Sequence, residues 1–195
     1  MNFLAHLYLS GDFDELMVGN LMADFVKGKP AAGLSEAIRK GITLHREIDA
    51  FTDSHPVVRA SKMRLQPVYH KYAGVIVDIF YDHFLAVAWA NYSVIPLPDF
   101  AAHVYALLEN HHDDLPPAMQ QMFFYMRAHN WLVAYAQLEG IERVLEGMAR
   151  RTRFPSHMER AGSDLRKDYH LYQAEFNDYF PQLMQYVAIG KAGLV

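Results

Sequence analysis

Apolar side chains recur along this sequence with the spacing of an α-helix, and glycines and prolines interrupt them at short intervals. Valine and isoleucine rarely alternate with polar residues, although such alternation is the pattern of a half-buried strand. Helices of ordinary length fit between the breaks, which include Gly11, residues 28–33, the position before Pro56, Gly74, residues 96–98 and residues 111–117. The sequence therefore predicts an all-α bundle of about eight to ten helices.

Length and composition favour a single domain with an ordinary core. The chain has 195 residues, of which 52% are hydrophobic, and it has no linker, repeat or low-complexity segment. We therefore expect one domain over residues 1–195. The chain contains no cysteine, which excludes disulfides, thiolate metal sites and a cysteine nucleophile.

The same composition limits the partners and the location. A net charge of -4 argues against a general nucleic-acid binder. The opening residues lack the basic region of a signal peptide, and no apolar run approaches the ~18 residues of a membrane span. We expect a cytoplasmic protein that binds neither nucleic acid nor membrane.

Local signals predict where several helices begin. Ser35 is placed to cap a helix, and Asp12 with Glu15 three residues later resembles a capping box. Asp53 is a candidate cap for the helix that follows it. Pro181 is expected to open a last short helix.

Two carboxylates fall on an apolar stripe that should face the core. The residues at helical spacing in this segment are Val75, Asp78, Asp82, Leu85 and Trp89. An uncompensated buried carboxylate is very unfavourable, so such a group is normally paired, bound to a metal or neutralised. Both aspartates are therefore candidates for a functional site.

Three further segments direct polar groups toward the interior. The residues concerned are His6, Asn20, Asp24, and the pair His45 and Asp49 one helical turn apart. The lysines and arginines that could pair with them lie about one position off these stripes. A divalent cation would compensate several of these charges together, and oxygen and imidazole ligands suit manganese, magnesium, iron or zinc. For each residue alone, a helix cap or a satisfied hydrogen bond in the core is the alternative.

Positive charge is concentrated in one short segment. Residues 72–142 hold one basic and eight acidic side chains, whereas Arg143, Arg150, Arg151 and Arg153 lie within eleven residues. These arginines form either a solvated helix end or a docking patch for an acidic partner. The adjacent pair His112–Asp113 lies in a polar loop, where we expect it to be solvated.

Several of these residues lie in blocks that resemble acyl carrier protein phosphodiesterases. The blocks are the opening MNFLAHL, GNLMADFVKG (19–28), HREIDAFTDSHPVVR (45–59), DIFYDHFLAVAW (78–89) and the segment 131–151. They occur in the same order and cover nearly the whole chain. The resemblance implies removal of the 4′-phosphopantetheine arm from holo-acyl carrier protein, which gives the apo protein and free 4′-phosphopantetheine. It also implies a divalent metal, with Mn²⁺ preferred and Mg²⁺ or Fe²⁺ as alternatives, and an HD-phosphohydrolase-like helical fold.

The order of candidate ligands departs from the HD pattern. That pattern reads His, then an adjacent His-Asp, then a distant Asp, whereas the literal pair His112–Asp113 lies outside the matched blocks. Asp82–His83 has the reversed order. The second position is better filled by Asp24, or by His45 with Asp49, so the ligand assignment stays open at this point.

These observations give a hypothesis for the site. The expected metal ligands are His6, Asp24, His45 and Asp78. Asp49 or Asp82 would orient an imidazole or assist proton transfer, and His83 would protonate the leaving serine oxygen. The expected phosphate contacts are Asn20 and Arg46. The expected docking residues for the acidic carrier protein are Arg143, Arg150, Arg151 and Arg153.

Two alternatives to this function remain at the level of the sequence. The first is a metal phosphohydrolase of the same fold that acts on nucleotides or small phosphodiesters. The second is a helical module without enzymatic activity that binds an acidic partner.

Overall fold

The computed structural model describes residues 3–191, and every regular element in that range is helical. Within these residues, ten helices have seven residues or more and one is a single turn. The α-helices are α1 (Phe3–Leu9), α2 (Asp14–Met22), α3 (Glu36–Ser54), α4 (Pro56–Tyr69), α5 (Ala73–Val87), α6 (Leu97–Asn110), α7 (Pro117–Ala128), α8 (Trp131–Ala134), α9 (Leu138–Ala149), α10 (Ala161–Lys167) and α11 (Tyr169–Lys191). The predicted all-α class is confirmed, and the two ends of the predicted 1–195 domain lie outside the described residues.

Local signals explain one of two neighbouring helix starts. Ser35 caps α3 as predicted, because its Oγ accepts a hydrogen bond from the backbone N–H of Ile38 at 3.2 Å. The capping box predicted at Asp12 is wrong, since Phe13 occupies the N-cap position of α2 without a side-chain hydrogen bond. Glu15 instead accepts a hydrogen bond from Ser35 Oγ at 2.9 Å and so joins α2 to α3.

Two further local predictions are wrong because tertiary contacts dominate. His55, not Asp53, occupies the N-cap position of α4, and Asp53 pairs with Lys62 at 2.5 Å. Pro181 lies inside α11 and does not open a separate helix. The neighbouring Phe180 is fully buried, so the packing of α11 offsets the backbone hydrogen bond that proline removes.

The hydrophobic core surrounds α5, of whose 15 residues eleven are buried. Aromatic rings of α5 and α11 pack against each other, with 5.1 Å between the ring centres of Phe80 and Tyr172 and 6.0 Å between those of Phe84 and Phe176. This packing holds α5 in the middle of the bundle, with Asp82 at 1% exposure. Among the helices of residues 3–191, none is long and apolar enough to cross a membrane.

Two glycines bring α2 and α3 into close contact. A methyl group at Gly19 would lie 2.0 Å from a carbonyl oxygen of α3, and one at Gly41 would lie 2.3 Å from a carbonyl oxygen of α2. Real side chains do not tolerate such distances, so only glycine permits this approach. The contact sets the spacing between Asp24, which follows α2, and His45, which lies one turn after Gly41.

Candidate metal centre

Four predicted side chains from three parts of the chain meet in what we call the His–Asp cluster: His6 of α1, Asp24 of the 3₁₀ turn after α2, and His45 and Asp49 of α3. Asp49 contacts His6 Nε2 at 3.3 Å through Oδ1 and His45 Nε2 at 3.1 Å through Oδ2. His45 Nε2 also lies 3.4 Å from Asp24 Oδ1. One candidate ligand atom each from His6, His45 and Asp49 lies within 4.8 Å of the other two, close enough to share one ion.

The cluster lies at the boundary between core and solvent. The two imidazole rings stack with 4.0 Å between their centres, and both are buried. The Asp49 side chain is 51% exposed and that of Asp24 is 23% exposed. A ligand can therefore approach from the carboxylate side, while the core holds the imidazoles in place.

Two buried polar side chains fix the position of α1 and therefore of His6. The carboxylate of Asp82 accepts hydrogen bonds from the backbone N–H groups of Leu4 and Ala5, each at 2.9 Å. Burial raises the pKa of Asp82 to about 7, although these two hydrogen bonds act in the opposite direction. Asn20 Nδ2 donates to the backbone oxygen of His6 at 2.9 Å. Asp82 and Asn20 thus act on the cluster through the backbone of α1.

The charges within the cluster are strongly coupled. Burial by itself would lower the pKa of His45, but hydrogen bonds to Asp24 and Asp49 and their negative charges raise it to about 9. Burial lowers the pKa of His6, against the hydrogen bond to Asp49. Burial by itself would raise the pKa of Asp49, because it disfavours the charged form. Hydrogen bonds from His45 and His6 nevertheless hold this pKa well below the usual range. Near pH 7, a protonated His45 therefore lies between two carboxylates.

The chemistry of these residues fits a divalent cation. Buried atoms without a hydrogen-bond partner in the described part of the chain include His6 Nδ1, His45 Nδ1 and Asn20 Oδ1. Within residues 3–191, the ion pairs of Asp24 and Asp49 are with histidines and not with lysine or arginine. Imidazole and carboxylate donors together suit ions such as manganese, iron or zinc. The cluster could therefore hold a metal ion.

Comparison with known proteins agrees with the sequence blocks. The family described as acyl carrier protein phosphodiesterase has a sequence model that matches residues 1–183. The chain belongs to this family. An acyl carrier protein phosphodiesterase of Photorhabdus laumondii subsp. laumondii is 37% identical over 188 residues, which are 95% of this chain and 94% of the relative. One of Serratia proteamaculans is 37% identical over 188 residues, 95% of this chain and 96% of the relative.

No solved structure gives a significant match to the chain. The relation to HD phosphohydrolases stays a prediction. The pair His112–Asp113 is exposed, with 3.6 Å between His112 Nδ1 and Asp113 Oδ1, which confirms that it is solvated.

Asp78, a predicted ligand, lies on α5 one turn before Asp82 and is half-buried. It is outside the group of donor atoms formed by His6, His45 and Asp49 among the described residues. It is nevertheless close to this region, because burial and the negative charges of Asp78 and Asp49 all raise the pKa of Tyr179. Asp49 was expected to orient an imidazole or assist proton transfer and not to bind the metal. In the structure it contacts both histidines of the cluster, and its i,i+4 spacing from His45 is the sequence feature that indicates this contact.

His83, the predicted acid, is held inside the core. Its Nδ1 lies 2.8 Å from the backbone oxygen of Tyr135, and its Nε2 lies 2.9 Å from the hydroxyl of Tyr169. Burial lowers its pKa, against the hydrogen bond to Tyr135. The structure therefore places both ring nitrogens of His83 in contacts away from the His–Asp cluster.

Arg46, a predicted phosphate contact, is exposed on α3 beside the cluster. Its Nη2 donates to the backbone oxygen of Gly28 at 2.8 Å. This hydrogen bond attaches the loop after Asp24 to α3. In this arrangement, the Nη2 of Arg46 is used within the chain itself.

Three of the four arginines predicted for docking line one groove. This basic groove has a volume of about 280 Å³ and includes Arg143, Arg150, Arg151, Tyr125 and Trp131. The guanidinium of Arg151 lies over two of these rings, 5.9 Å from the centre of Tyr125 and 5.8 Å from that of Trp131. The aromatic floor orients positive charge toward solvent.

The remaining arginine contacts lie at the rim. Arg150 pairs with Glu146 at 2.5 Å, although both side chains are largely exposed. Arg153 lies over the ring of the exposed Phe154, 5.6 Å from its centre. An exposed ion pair such as Arg150–Glu146 contributes little to stability.

Proposed function

We propose that this protein hydrolyses the phosphodiester that joins 4′-phosphopantetheine to a serine of holo-acyl carrier protein. The products are apo-acyl carrier protein and 4′-phosphopantetheine, and residues 1–195 act as one catalytic domain. The observation that carries the proposal is the His–Asp cluster, a polar site open on one side, in a chain whose relatives are named acyl carrier protein phosphodiesterase.

We assign the metal to His6, His45 and Asp49, with Asp24 beside them in contact with His45. Mn²⁺ is the first choice, with Mg²⁺ or Fe²⁺ as alternatives. When bound, such a cation lowers the pKa of a water molecule toward ~7 and polarises a phosphoryl oxygen. His45 must give up the proton that it holds between Asp24 and Asp49, because only neutral imidazole donates a lone pair.

The remaining chemistry concerns proton transfer at the open side. The water oxygen forms a bond to phosphorus, the bond from phosphorus to the serine oxygen breaks, and the serine oxygen takes a proton from solvent at the open side. Asp24 Oδ1, 3.4 Å from His45 Nε2 and partly exposed, is the acceptor that we assign for the proton of water. The proposal gives no proton-transfer role to His83, because its ring nitrogens are already engaged in the core.

The proposed partner is an acidic carrier protein that docks on the basic groove. Arg143, Arg150 and Arg151 supply positive charge there, and Arg153 lies in the adjacent segment. Complementary charge accelerates encounter and fixes orientation more than it adds affinity. The cytoplasmic location stays part of this proposal, since enzyme and carrier must share a compartment.

Intact-mass spectrometry tests the function directly. Holo-acyl carrier protein is incubated with the full chain and Mn²⁺, and we expect its mass to fall by that of the 4′-phosphopantetheine arm. The matched control is His45→Asn, which should leave the carrier unchanged. The proposed substrate would be contradicted if the wild type leaves holo-carrier unchanged but hydrolyses a nucleotide or a small phosphodiester.

A further inference from the structure

An apolar cavity of about 650 Å³ is lined in part by residues that are close in sequence to members of the His–Asp cluster. Its volume is within the ~300–1,000 Å³ range of small-molecule sites. One wall includes Phe3 of α1, Phe25 of the 3₁₀ turn and Val75 of α5. The opposite wall is formed by α7 and by the end of α9. Neither the metal nor the docking surface explains this cavity.

Two near-wall residues adjoin members of the cluster in sequence, and a third lies on α5, which carries Asp82. Phe3 precedes His6 by one helical turn, and Phe25 directly follows Asp24. Val75 precedes Asp78 by one turn on α5. A substrate group that extends from a phosphate at the cluster therefore meets this cavity on the same elements that position the phosphate.

The far wall connects the cavity to the basic groove. Arg151 and Tyr125 line both hollows. The side chains of Met122, Met148 and Met158 supply a flexible apolar surface within the cavity. Arg151 therefore stands between the surface proposed for the carrier protein and the space next to the cluster.

We propose that this cavity receives the pantetheine portion of the substrate arm while the arm's phosphate faces the His–Asp cluster. This inference rests on the proposed function and adds the place where the arm is recognised. Pantetheine combines a geminal dimethyl group and methylene groups with two amides and a terminal thiol. A mostly apolar cavity that also offers Gln121 and Tyr72 matches that combination.

A binding assay that requires no catalysis tests which molecule occupies the cavity. Free pantetheine is added to the full-length protein in EDTA, and saturation transfer to its methyl groups is followed by NMR. Ala118 is exposed and lines the cavity, so Ala118→Trp fills the space without replacing a core residue. We expect the variant to bind pantetheine about tenfold or more weakly than the wild type.

The matched control is Ala102→Trp, which adds the same ring at an exposed position of α6 outside the cavity. It should bind pantetheine as the wild type does, and both variants should keep the helical circular dichroism spectrum. Equal binding by Ala118→Trp and Ala102→Trp would overturn the assignment. So would a wild type that binds decanoate in this assay and not pantetheine, because the occupant would then be an acyl chain.

Kinetics separates this inference from the proposed function. We expect Ala118→Trp to raise the KM for holo-carrier about tenfold with a smaller change in kcat. If the wild type removes the arm and Ala118→Trp does so with an unchanged KM, the cavity assignment fails and the function stands. If the wild type binds pantetheine but releases no arm from the carrier, the function fails and the cavity assignment stands.

Discussion

Two partly buried polar clusters of this bundle are built in opposite ways. Arg64 binds Glu175 through two hydrogen bonds of 2.5 and 3.1 Å, and the same carboxylate accepts a hydrogen bond from Ser61 at 2.5 Å. The hydroxyl groups of Ser61 and Tyr81 are 2.9 Å apart. This network joins α4, α5 and α11, and each charge has a partner of opposite sign from the chain itself.

The His–Asp cluster lacks such internal compensation. Its positive charge comes from a histidine whose pKa two aspartates raise, and the Nδ1 atoms of His6 and His45 have no hydrogen-bond partner. Arg46, the nearest arginine in sequence to His45, bonds to a backbone oxygen. The difference teaches that the Arg64–Glu175 network is complete as folded, whereas the His–Asp cluster could still take up a cation.

The largest expected effect is on catalysis. Asp49→Asn and His45→Asn should each lower kcat/KM for holo-carrier at least ~100-fold, because even residues behind metal ligands typically contribute ~10–100-fold. Steady-state assays in Mn²⁺ measure the change, and circular dichroism should show an unchanged helical content.

Asp78→Asn provides the matched comparison on α5. We expect a smaller loss, since Asp78 is outside the group of donor atoms in the described residues. A loss as large as that of Asp49→Asn would return Asp78 to the ligand set that the sequence predicted.

The next effect is on stability at the other cluster. Arg64→Met should lower the free energy of unfolding by about 2–3 kcal/mol, less than the ~3–5 kcal/mol of a fully buried pair because Arg64 is 26% exposed. Urea unfolding measures the change. The double variant Arg64→Met/Glu175→Leu should recover part of it, since no charge is then left unpaired. If Arg64→Met lost activity per folded molecule, the Arg64–Glu175 network would affect catalysis as well as stability. That result would contradict the proposal that the two clusters have separate roles.

A third change tests how the fold positions the His–Asp cluster. Gly41→Ala should destabilise the protein by about 2 kcal/mol, because its methyl group would lie 2.3 Å from a carbonyl oxygen of α2. The helices must separate, so Mn²⁺ affinity should also fall. Gly147→Ala is the control on α9, where nothing lies within 4 Å of an added methyl group. Equal stability of the two variants in urea would contradict the role of the α2–α3 contact.

A smaller effect is expected from exposed charge. Arg143→Gln should raise the KM for holo-carrier about threefold to tenfold at low salt, with little change in kcat. The difference should shrink as salt rises, because the screening length is only ~10 Å at 0.1 M. Arg166→Gln, outside the basic groove, is the control. A KM that responds neither to salt nor to Arg143→Gln would argue against docking on this groove.

A further expected effect is the pH dependence of stability without metal. The pKa of His45 is about 9 in the folded protein against 6.5 for the ordinary group, so the folded state binds more protons between these values. This contribution is complete below about pH 6.5 and is lost as pH rises to about 9. In EDTA, Tm should fall more steeply over this interval for the wild type than for His45→Asn. Parallel Tm curves would show that His45 is not charged between its two aspartates.

Much of the fold follows from local sequence, and its exceptions have tertiary causes. Helical periodicity predicts the all-α class, and the cap at Ser35 is where the sequence places it. The box at Asp12 fails because Glu15 bonds to Ser35 across two helices. Pro181 continues α11 because its neighbours are buried. Local sequence signals do not predict contacts between residues that are distant in the sequence.

The same limit applies to the candidate site. Polar residues on apolar stripes identified His6, Asp24, His45 and Asp49, which the fold brings together. The sequence pattern did not show that Asp49 is a better candidate ligand than Asp78, because both lie at helical spacing. Only the packing of α3 against α1 distinguishes them. The run 122–126 was interpreted from the sequence as mostly core, although its aromatics could hold a thin substrate arm near a pocket, and Met122 and Tyr125 line the cavity. Its other walls come from α1, α5 and α9, so local sequence does not locate it.

Calorimetric titration of Mn²⁺ into EDTA-treated, dialysed protein tests the central claim most directly. We expect binding in the wild type with release of about one proton, seen as a dependence of the heat on the buffer, because His45 must lose its proton. Asp49→Asn should bind much more weakly, while Arg64→Met, once folded, should bind as the wild type does. Equal Mn²⁺ binding by Asp49→Asn and the wild type, or none by either, would contradict a metal centre at the His–Asp cluster.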